Sequence, residues 1–283
     1  MIEVVKAGLF TTVQDLGRFG YRKMGVPVSG AMDAVSAFMA NSLLGNKNDR
    51  AVLEITLLGP TLKFHQETRI AIAGAPFEVW LNTIEIDLNQ PILIHKNDVL
   101  TFGKAKKGMR CYLAVSGGLQ TLKVLNSRSF YAGLTEEIKV KRGDLLPIET
   151  FAEIPALKSF SANASPIDAT TLEVFPGPEY ASLTIFEQQG IVEQRFTISA
   201  QSNRMAYLLE CSGMLSAKEI LTAPVQPGTV QLTPSGKLLV LMRDAQVTGG
   251  YARIFQLTEK SITILAQKRG GETIDFKLIG SPN

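Results

Sequence analysis

The sequence has few of the residues from which metal and thiol sites are built. Its 283 residues include two cysteines and two histidines. Cys111 and Cys211 form no CxxC motif and are too few for a disulfide framework, which favours a reducing compartment. His65 and His95 stand apart from cysteines and paired carboxylates, so a site built on imidazole and thiolate is not expected. We predict no metal site on this chain.

Long apolar runs and concentrated charge are also missing. The longest purely apolar run, near residues 238–242, is far shorter than the roughly 20 residues of a membrane-spanning helix. The opening residues include an early acid, Glu3, and no apolar core, so no signal peptide is expected. The net charge is +3, without the basic face of a nucleic-acid binder. We therefore expect a cytoplasmic protein that binds neither membranes nor nucleic acid.

Standard nucleotide-binding loops are absent from the sequence. The Pro-Ser-Gly-Lys segment at residues 234–237 superficially resembles a phosphate loop. Its first glycine does not have the GxxxxGK[ST] spacing, and Leu238 stands where a magnesium-binding Ser or Thr is required. No GxGxxG is present either. If the chain binds a nucleotide, no standard loop identifies the place.

Most of the predicted secondary structure consists of short strands. Apolar or alternating runs bounded by Gly, Pro, Asn or Asp predict strands throughout the chain. They are residues 69–73, 77–82, 91–95, 110–115, 171–175, 194–199, 238–242, 251–257 and 261–265. Many short strands separated by turns are typical of β-barrels and sandwiches. The first half contains one predicted helix, at residues 31–44, with Ser29 as its N-cap and Gly45 at C′.

Residues 151–171 interrupt this pattern. They are rich in Ser, Ala and Pro and show little periodicity, which indicates a linker. The halves on either side repeat a similar order of strands and turns, which favours an internal duplication. We predict a mainly β protein with few helices, in which domains 1–155 and 170–283 are joined by a linker at 156–169.

The densest polar cluster lies near the N-terminus. Gln14, Asp15 and Arg18 are interleaved with glycines, and Ser29 and Asp33 lie at the start of the predicted helix. A glycine-rich backbone lets a ligand approach closely, and a helix N-terminus favours an anion such as a carboxylate. The alternative, in which Asp15 and Arg18 pair to hold a tight turn, agrees equally well with these residues.

A second polar cluster follows the apolar strand that ends near residue 242. It contains a carboxylate, an amide and a hydroxyl at alternate positions, then two glycines and a tyrosine: Asp244, Gln246, Thr248, Gly249, Gly250 and Tyr251. If the strand continues, the first three side chains share one face. That face would suit a planar amide or ureido ligand, which needs both donors and acceptors. The alternative is a strand end that faces solvent.

Arg204 is a third candidate. It lies in a polar stretch after a predicted strand, where its planar guanidinium could bind a carboxylate or a phosphate. The alternative is an ordinary surface arginine.

Ten short motifs follow one another along nearly the whole chain. These motifs are residues 12–21, 25–33, 40–46, 51–56, 59–60, 112–118, 127–129, 143–144, 176–178 and 244–251. Together they resemble the family of allophanate-hydrolase subunit 2. This ordered set is far more specific than any single motif.

The resemblance implies two tandem cyclophilin-like β-barrels that belong to a heteromeric enzyme. The family includes the C subunit of 5-oxoprolinase, which opens the small molecule 5-oxoproline to glutamate at the expense of ATP. The implied cofactor is ATP with Mg²⁺ at the level of the complex. The implied partners are a subunit 1 type protein (the B subunit of 5-oxoprolinase) and a third protein (the A subunit). Biotin is disfavoured, because the family pattern changes at Asn203, at Leu208 and in residues 134–139.

Within this resemblance, Arg18 and the helix start near Ser29 would hold the substrate carboxylate, and the second cluster would meet the lactam. The candidate catalytic residues are Asp15, Arg18, Asp244, Gln246 and Thr248. The candidate substrate-binding residues are Gln14, Ser29, Asp33, Arg204, Gly249, Gly250 and Tyr251. Two alternatives remain: one half of a biotin-dependent carboxyltransferase of urea carboxylase type, and a non-catalytic binder that acts on a kinase inhibitor.

Overall fold

The computed structural model describes residues 1–150, 166–210 and 219–280. The chain divides into two compact units. The first unit contains Met1–Arg18 and Ser29–Ile167, and the second contains Phe19–Val28 and Asp168–Asn283. The sequence did not indicate that the short segment Phe19–Val28 belongs to the second unit. Most of the predicted linker at 156–169 lies outside the described residues, so the linker stays a prediction.

The first unit is built from two antiparallel sheets. Its strands are β1 (Ile2–Lys6), β2 (Phe10–Gln14), β3 (Val52–Thr56), β4 (Thr61–Phe64), β5 (Thr68–Gly74), β6 (Phe77–Leu81), β7 (Ile84–Glu85), β8 (Pro91–Ile94), β9 (Val99–Ala105), β10 (Arg110–Val115) and β11 (Leu145–Leu146). One sheet has the order β11-β1-β4-β9-β6-β7, and the other has the order β2-β3-β10-β5-β8. Apolar side chains from both sheets form one continuous core.

Strand β10 shows how the pattern of side chains sets the layers. All of its residues are buried, although successive side chains point to opposite faces. Cys111, Leu113 and Val115 enter the core between the sheets. Tyr112 and Ala114 point the other way, toward helix α1 (Ala34–Leu43). A strand covered on both faces therefore appears in the sequence as a continuous apolar run.

Helix α1 begins three residues later than predicted. Its N-cap is Asp33, whose side chain accepts a hydrogen bond from the Ser36 N–H, so the assignment of Ser29 as N-cap is wrong. Ser29 has φ +58, a left-handed conformation that lies outside the helix. At the other end Gly45 has φ +67, as expected for a C′ glycine.

The second unit contains a closed barrel. The strands of this unit are β12 (Thr171–Pro176), β13 (Phe196–Ile198), β14 (Ala206–Glu210), β15 (Ala223–Pro224), β16 (Thr229–Leu232), β17 (Leu238–Leu241), β18 (Thr248–Gly249), β19 (Ala252–Leu257) and β20 (Thr273–Leu278). The barrel order is β12-β19-β16-β17-β14-β13-β20, and β12 closes the barrel by pairing in parallel with β20. Strands β15 and β18 form a separate pair. The rings of Phe255, Phe276 and Phe196 follow one another at centroid distances of 5.3 and 5.2 Å.

The second unit also holds two helices that the sequence did not reveal. The strand predicted at residues 261–265 is wrong, because this segment forms α3 (Glu259–Ala266) with Thr258 as N-cap. Every residue from 261 to 266 is buried, so no polar face marks a helical period. Helix α2 (Ile185–Glu193) begins with a capping box between Thr184 and Glu187.

The prediction of a mainly β protein with few helices is confirmed, since the described residues hold three α-helices and many short strands. None of these helices combines the length and the apolar character that a membrane crossing requires.

Candidate functional site

Asp15 organises the polar cluster of the first unit. Its Oδ1 accepts hydrogen bonds from the hydroxyls of Ser127 at 2.6 Å and Ser129 at 2.7 Å. Its Oδ2 accepts from the backbone N–H of Arg128 at 2.6 Å. The Gly17 N–H also donates to Oδ1, at 2.8 Å. The carboxylate thus connects the loop that follows β2 to residues 127–129, and its oxygens are already occupied by donors of the protein.

Arg18 connects the same two segments. Its side chain is fully buried. Its Nε donates to the Val124 carbonyl at 3.2 Å, and its Nη2 donates to the Ser129 carbonyl. Both acceptors lie in residues 124–129, so the guanidinium holds this loop against the segment that follows β2. Direct binding of a substrate carboxylate by Arg18 stays a prediction.

Gln14 and Ser29 are the buried neighbours of this cluster. The Gln14 amide nitrogen donates to the Thr12 hydroxyl at 3.1 Å and to the Phe130 carbonyl at 3.4 Å. The Gln14 Oε1 and the Ser29 hydroxyl are buried, and neither has a hydrogen-bond partner within the described ranges. The segment after Ser29 contacts the cluster directly, because the Ala31 N–H donates to the Asp15 carbonyl at 3.0 Å.

The start of α1 is occupied by the carboxylate of Asp33. Its Oδ1 accepts from the Ser36 N–H at 2.9 Å, and its Oδ2 accepts from the Ser36 hydroxyl at 2.6 Å. The free N–H groups that would attract an anion to this helix end therefore already have an anion of the protein. The predicted role of Asp33 in substrate binding is untested and stays a prediction.

A buried hydrogen-bond network beside α1 contains two ionisable residues, Glu54 and Tyr112, that the sequence analysis did not identify. The Glu54 carboxylate accepts from the Met32 N–H at 2.8 Å and from the Tyr112 hydroxyl at 2.9 Å. The Tyr112 hydroxyl in turn accepts from the Asp33 N–H at 2.8 Å. Burial, and then the charges of Glu54 and Asp33, raise the pKa of Tyr112 well above its ordinary value of 10.0. Tyr112 therefore remains a neutral donor that holds the chain before α1.

In the second unit the structure brings Arg204 and Asp244 together. The Arg204 Nε donates to Oδ2 of Asp244 at 2.7 Å, and Nη2 donates to Oδ1 at 3.0 Å. The side chains are 9% and 12% exposed. This two-point pair connects the loop before β14 to the turn after β17. Spacing could not reveal it, because 40 residues separate the partners.

The prediction that Asp244, Gln246 and Thr248 share one strand face is wrong. Strand β17 ends at Leu241, and the Ala245 N–H donates to the Met242 carbonyl in a turn. Asp244 consequently points inward to Arg204, while Gln246 and Thr248 are exposed. The cluster thus contains a buried ion pair and a separate exposed polar surface.

The remaining candidates lie just beyond that turn. Gly249 belongs to β18 and pairs with Ala223 of β15. The Gly250 carbonyl accepts from the Ile220 N–H at 3.0 Å. The Tyr251 carbonyl accepts from the Gln231 side chain at 3.3 Å. All three residues are held through their backbone atoms, and their roles in binding stay predictions.

Sequence reasoning also missed Ser127 and Ser129 as partners of Asp15. They were visible only as part of a Ser-Arg-Ser motif in the family resemblance, since Ser127 lies 112 residues from Asp15 along the chain. Short-range spacing carries no signal for such a contact.

No phosphate loop or metal-binding cluster is formed by the parts of the chain described above. The segment at 234–237 is the turn of the β16–β17 hairpin, in which the Thr233 N–H donates to the Lys237 carbonyl at 2.9 Å. No group of three or more His, Cys, Asp or Glu side chains in the described ranges could hold a metal ion.

Comparison with known proteins gives a consistent family. The carboxyltransferase domain family, subdomains A and B, matches residues 24–278. The C subunit of the Escherichia coli 5-oxoprolinase is 34% identical over 286 residues, which cover 98% of this chain and 90% of that protein.

Two solved structures share the fold. The crystal structure of TTHA0988 has a TM-score of 0.87 and 31% identity, over 98% of this chain and 55% of that one. The urea carboxylase of Kluyveromyces lactis has a TM-score of 0.86 and 28% identity, over 97% of this chain and 27% of that one. This chain therefore spans about half the length of TTHA0988 and about a quarter of the yeast enzyme. From the family match over most of its length, we conclude that the chain belongs to the carboxyltransferase domain family of subdomains A and B.

Proposed function

We propose that this chain is the C subunit of an ATP-dependent 5-oxoprolinase complex, which opens 5-oxoproline to L-glutamate. The observation that carries the proposal is the match with the C subunit of the E. coli 5-oxoprolinase, which covers 98% of this chain and 90% of that protein. A match that leaves little of either protein uncovered favours the same role in an assembly.

The second unit supports this proposal through its exposed polar surface. Gln246 and Thr248 offer an amide and a hydroxyl to solvent, while the Arg204–Asp244 pair beneath them holds the turn. A lactam presents one N–H donor and one carbonyl acceptor, and an amide with a hydroxyl can satisfy both. Ring opening adds water across the C–N bond, and negative charge develops on the carbonyl oxygen. A hydrogen-bond donor placed at that oxygen stabilises the transition state more than the ground state.

In this proposal, the polar cluster of the first unit holds loops in place. Asp15 and Arg18 are held by residues 124–129 in a closed network, so their charges are used to order loops. We assign no residue of this chain to ATP with Mg²⁺. Nucleotide chemistry is assigned to the complex, whose other members would be a subunit 1 type partner (the B subunit) and a third protein (the A subunit).

Reconstitution tests the proposal. We expect the chain to co-purify with the B subunit through an interface of at least about 1,200 Å². The purified chain should neither hydrolyse ATP nor open 5-oxoproline. Addition of the A and B subunits with 5-oxoproline, ATP and magnesium should release glutamate. Complex formation without turnover on any substrate would instead favour a regulatory binder.

The second candidate function is one half of a biotin-dependent carboxyltransferase. It is favoured by the structural match to the urea carboxylase of K. lactis. The same reconstitution separates the two functions, since this candidate requires turnover with urea or a related amide only when carboxybiotin is supplied. Glutamate release without biotin would exclude it.

A further inference from the structure

The second unit contains a cleft of about 240 Å³ that none of the predicted site residues lines. We call it the arginine cleft and define it by six of its lining residues: Arg22, Pro176, Pro178, Arg253, Phe255 and Gln256. Arg22 belongs to the Phe19–Val28 segment, and the others lie on or next to β12 and β19. Pockets for drug-sized ligands begin at about 300 Å³, so this cleft suits a smaller molecule.

One of the two arginines is neutralised inside the protein. The Arg253 Nε and Nη2 donate to Oε2 and Oε1 of Glu179 at 2.9 and 2.7 Å. These hydrogen bonds lower the pKa of Glu179, so the carboxylate stays charged at neutral pH. The Arg253 Nη1 also donates to the Pro224 carbonyl at 3.1 Å. The Glu179–Arg253 pair therefore builds a wall of the cleft and adds no net charge to it.

The charge of Arg22 is not compensated in the same way. Its Nη2 donates to the backbone carbonyl of Val225, which orients the guanidinium but carries no net charge. No carboxylate of the described residues lies within ion-pair distance of Arg22. The residue is half-buried, and a partly desolvated cation is stabilised by an anion at hydrogen-bond distance. The cleft therefore carries one net positive charge.

The rest of the cleft is lined by proline rings and by the amide side chains of Gln226 and Gln256. Pro176 and Pro178 flank Gly177, whose N–H donates to the Ile254 carbonyl at 2.8 Å. A Cβ at Gly177 would lie 2.1 Å from the Arg253 carbonyl oxygen, so only glycine permits this approach to β19. Elsewhere in the cleft, the Thr229 hydroxyl donates to the side-chain Oε1 of Gln256 at 3.0 Å.

We infer that the arginine cleft binds the carboxylate of a small cyclic amide acid, with Arg22 as its counter-charge. The proline rings would contact the ring of the ligand. Its lactam edge would face the exposed Gln226 amide and the neighbouring Thr248, which pairs with Pro224 of the cleft. The inference rests on the proposed function for the identity of the acid, 5-oxoproline. It assigns the substrate carboxylate to Arg22 in the second unit instead of Arg18 in the first.

Calorimetric titration of 5-oxoproline into the purified chain and into the assembled complex tests this inference. The variant Arg22→Gln should weaken binding about tenfold or more, because it removes a charge-assisted contact. The variant Arg22→Lys keeps the charge without the planar fork and should show an intermediate loss. Lys23→Gln is the matched control, since it removes the same charge from an adjacent, exposed residue and should bind like wild type.

The ligand control is 2-pyrrolidinone, which has the same ring without the carboxylate and should bind much more weakly than 5-oxoproline. In the active complex, Arg22→Gln should raise KM about tenfold. Equal affinities for Arg22→Gln and Lys23→Gln, with circular dichroism showing intact folds, would overturn the inference and leave the proposed function standing. Arg22-dependent binding in a complex that releases no glutamate would support the cleft and contradict the proposed function. If Arg22→Gln does not fold, a wild-type affinity of Arg22→Lys overturns the inference.

Discussion

The Arg204 guanidinium and the Asp244 carboxylate meet at two points, with N–O distances of 2.7 and 3.0 Å, inside the second unit. The pair joins two segments that lie 40 residues apart in the sequence. Both side chains are largely buried, so the Asp244 carboxylate compensates a buried positive charge. Asp244 therefore has a structural role, because it holds these two segments together.

Replacement of Asp244 by alanine should destabilise the second unit strongly. The variant leaves the Arg204 charge buried without its carboxylate, which typically costs about 3–5 kcal/mol. Urea unfolding followed by circular dichroism measures this change. The double variant Arg204→Met, Asp244→Leu is the control and should lose much less stability, because neither charge remains. A single variant within about 0.5 kcal/mol of wild type would show that the pair is not needed for stability.

Replacement of Gln246 or Thr248 by alanine should affect activity and leave stability unchanged. Both side chains are exposed, so the free energy of unfolding should change by less than about 0.5 kcal/mol. If either side chain donates to the lactam carbonyl in the transition state, kcat of the complex should fall about 100-fold or more. Gln201→Ala, which removes an exposed amide elsewhere in the second unit, serves as the control. Wild-type kcat for both variants would mean that this surface only faces solvent.

The stability of the first unit should decrease at alkaline pH. Because the pKa of Tyr112 is raised, the folded protein keeps the phenol proton at a pH where the unfolded chain has lost it. The free energy of unfolding should therefore fall as the pH rises above about 10. Burial also raises the pKa of Cys111, which acts in the same direction. The comparison is thus made between Cys111→Ala and Cys111→Ala, Tyr112→Phe, and the second protein should show the shallower decline. Equal slopes would contradict this origin.

Limited proteolysis should first cut the chain between residues 151 and 171. This segment is rich in Ser, Ala and Pro, and the boundary between the two compact units falls at its end, between Ile167 and Asp168. Trypsin followed by mass spectrometry should identify Lys158 as an early site. Earlier cleavage elsewhere would argue against a linker at this position.

Eight of the nine predicted strands are present among the twenty strands of the described residues, because runs such as 69–73 and 110–115 are apolar and bounded by turn residues. Helix α3 could not be predicted, since its residues 261–266 are all buried and show no polar face. The N-cap of α1 was misplaced because Ser29 and Asp33 are both good capping residues. Only the backbone conformation, with φ +58 at Ser29, distinguishes them.

The sequence identified polar clusters as candidate sites but did not predict their geometry. The alternation of Asp244, Gln246 and Thr248 has meaning only while the strand continues, and the turn after Leu241 ends it. The partners of Asp15 and of Asp244 come from distant parts of the chain, so spacing gave no information about them. Arg22 gave no signal, because nothing in the sequence places the Phe19–Val28 segment in the second unit.

The most direct test of the central claim is a titration of this chain into fixed amounts of the A and B subunits. Glutamate release from 5-oxoproline is measured with ATP and magnesium present and biotin absent. The account predicts no glutamate without this chain, a rate that rises as it is added, and a plateau at a fixed molar ratio. Full activity of the A and B subunits alone, or glutamate release by this chain alone, would contradict it.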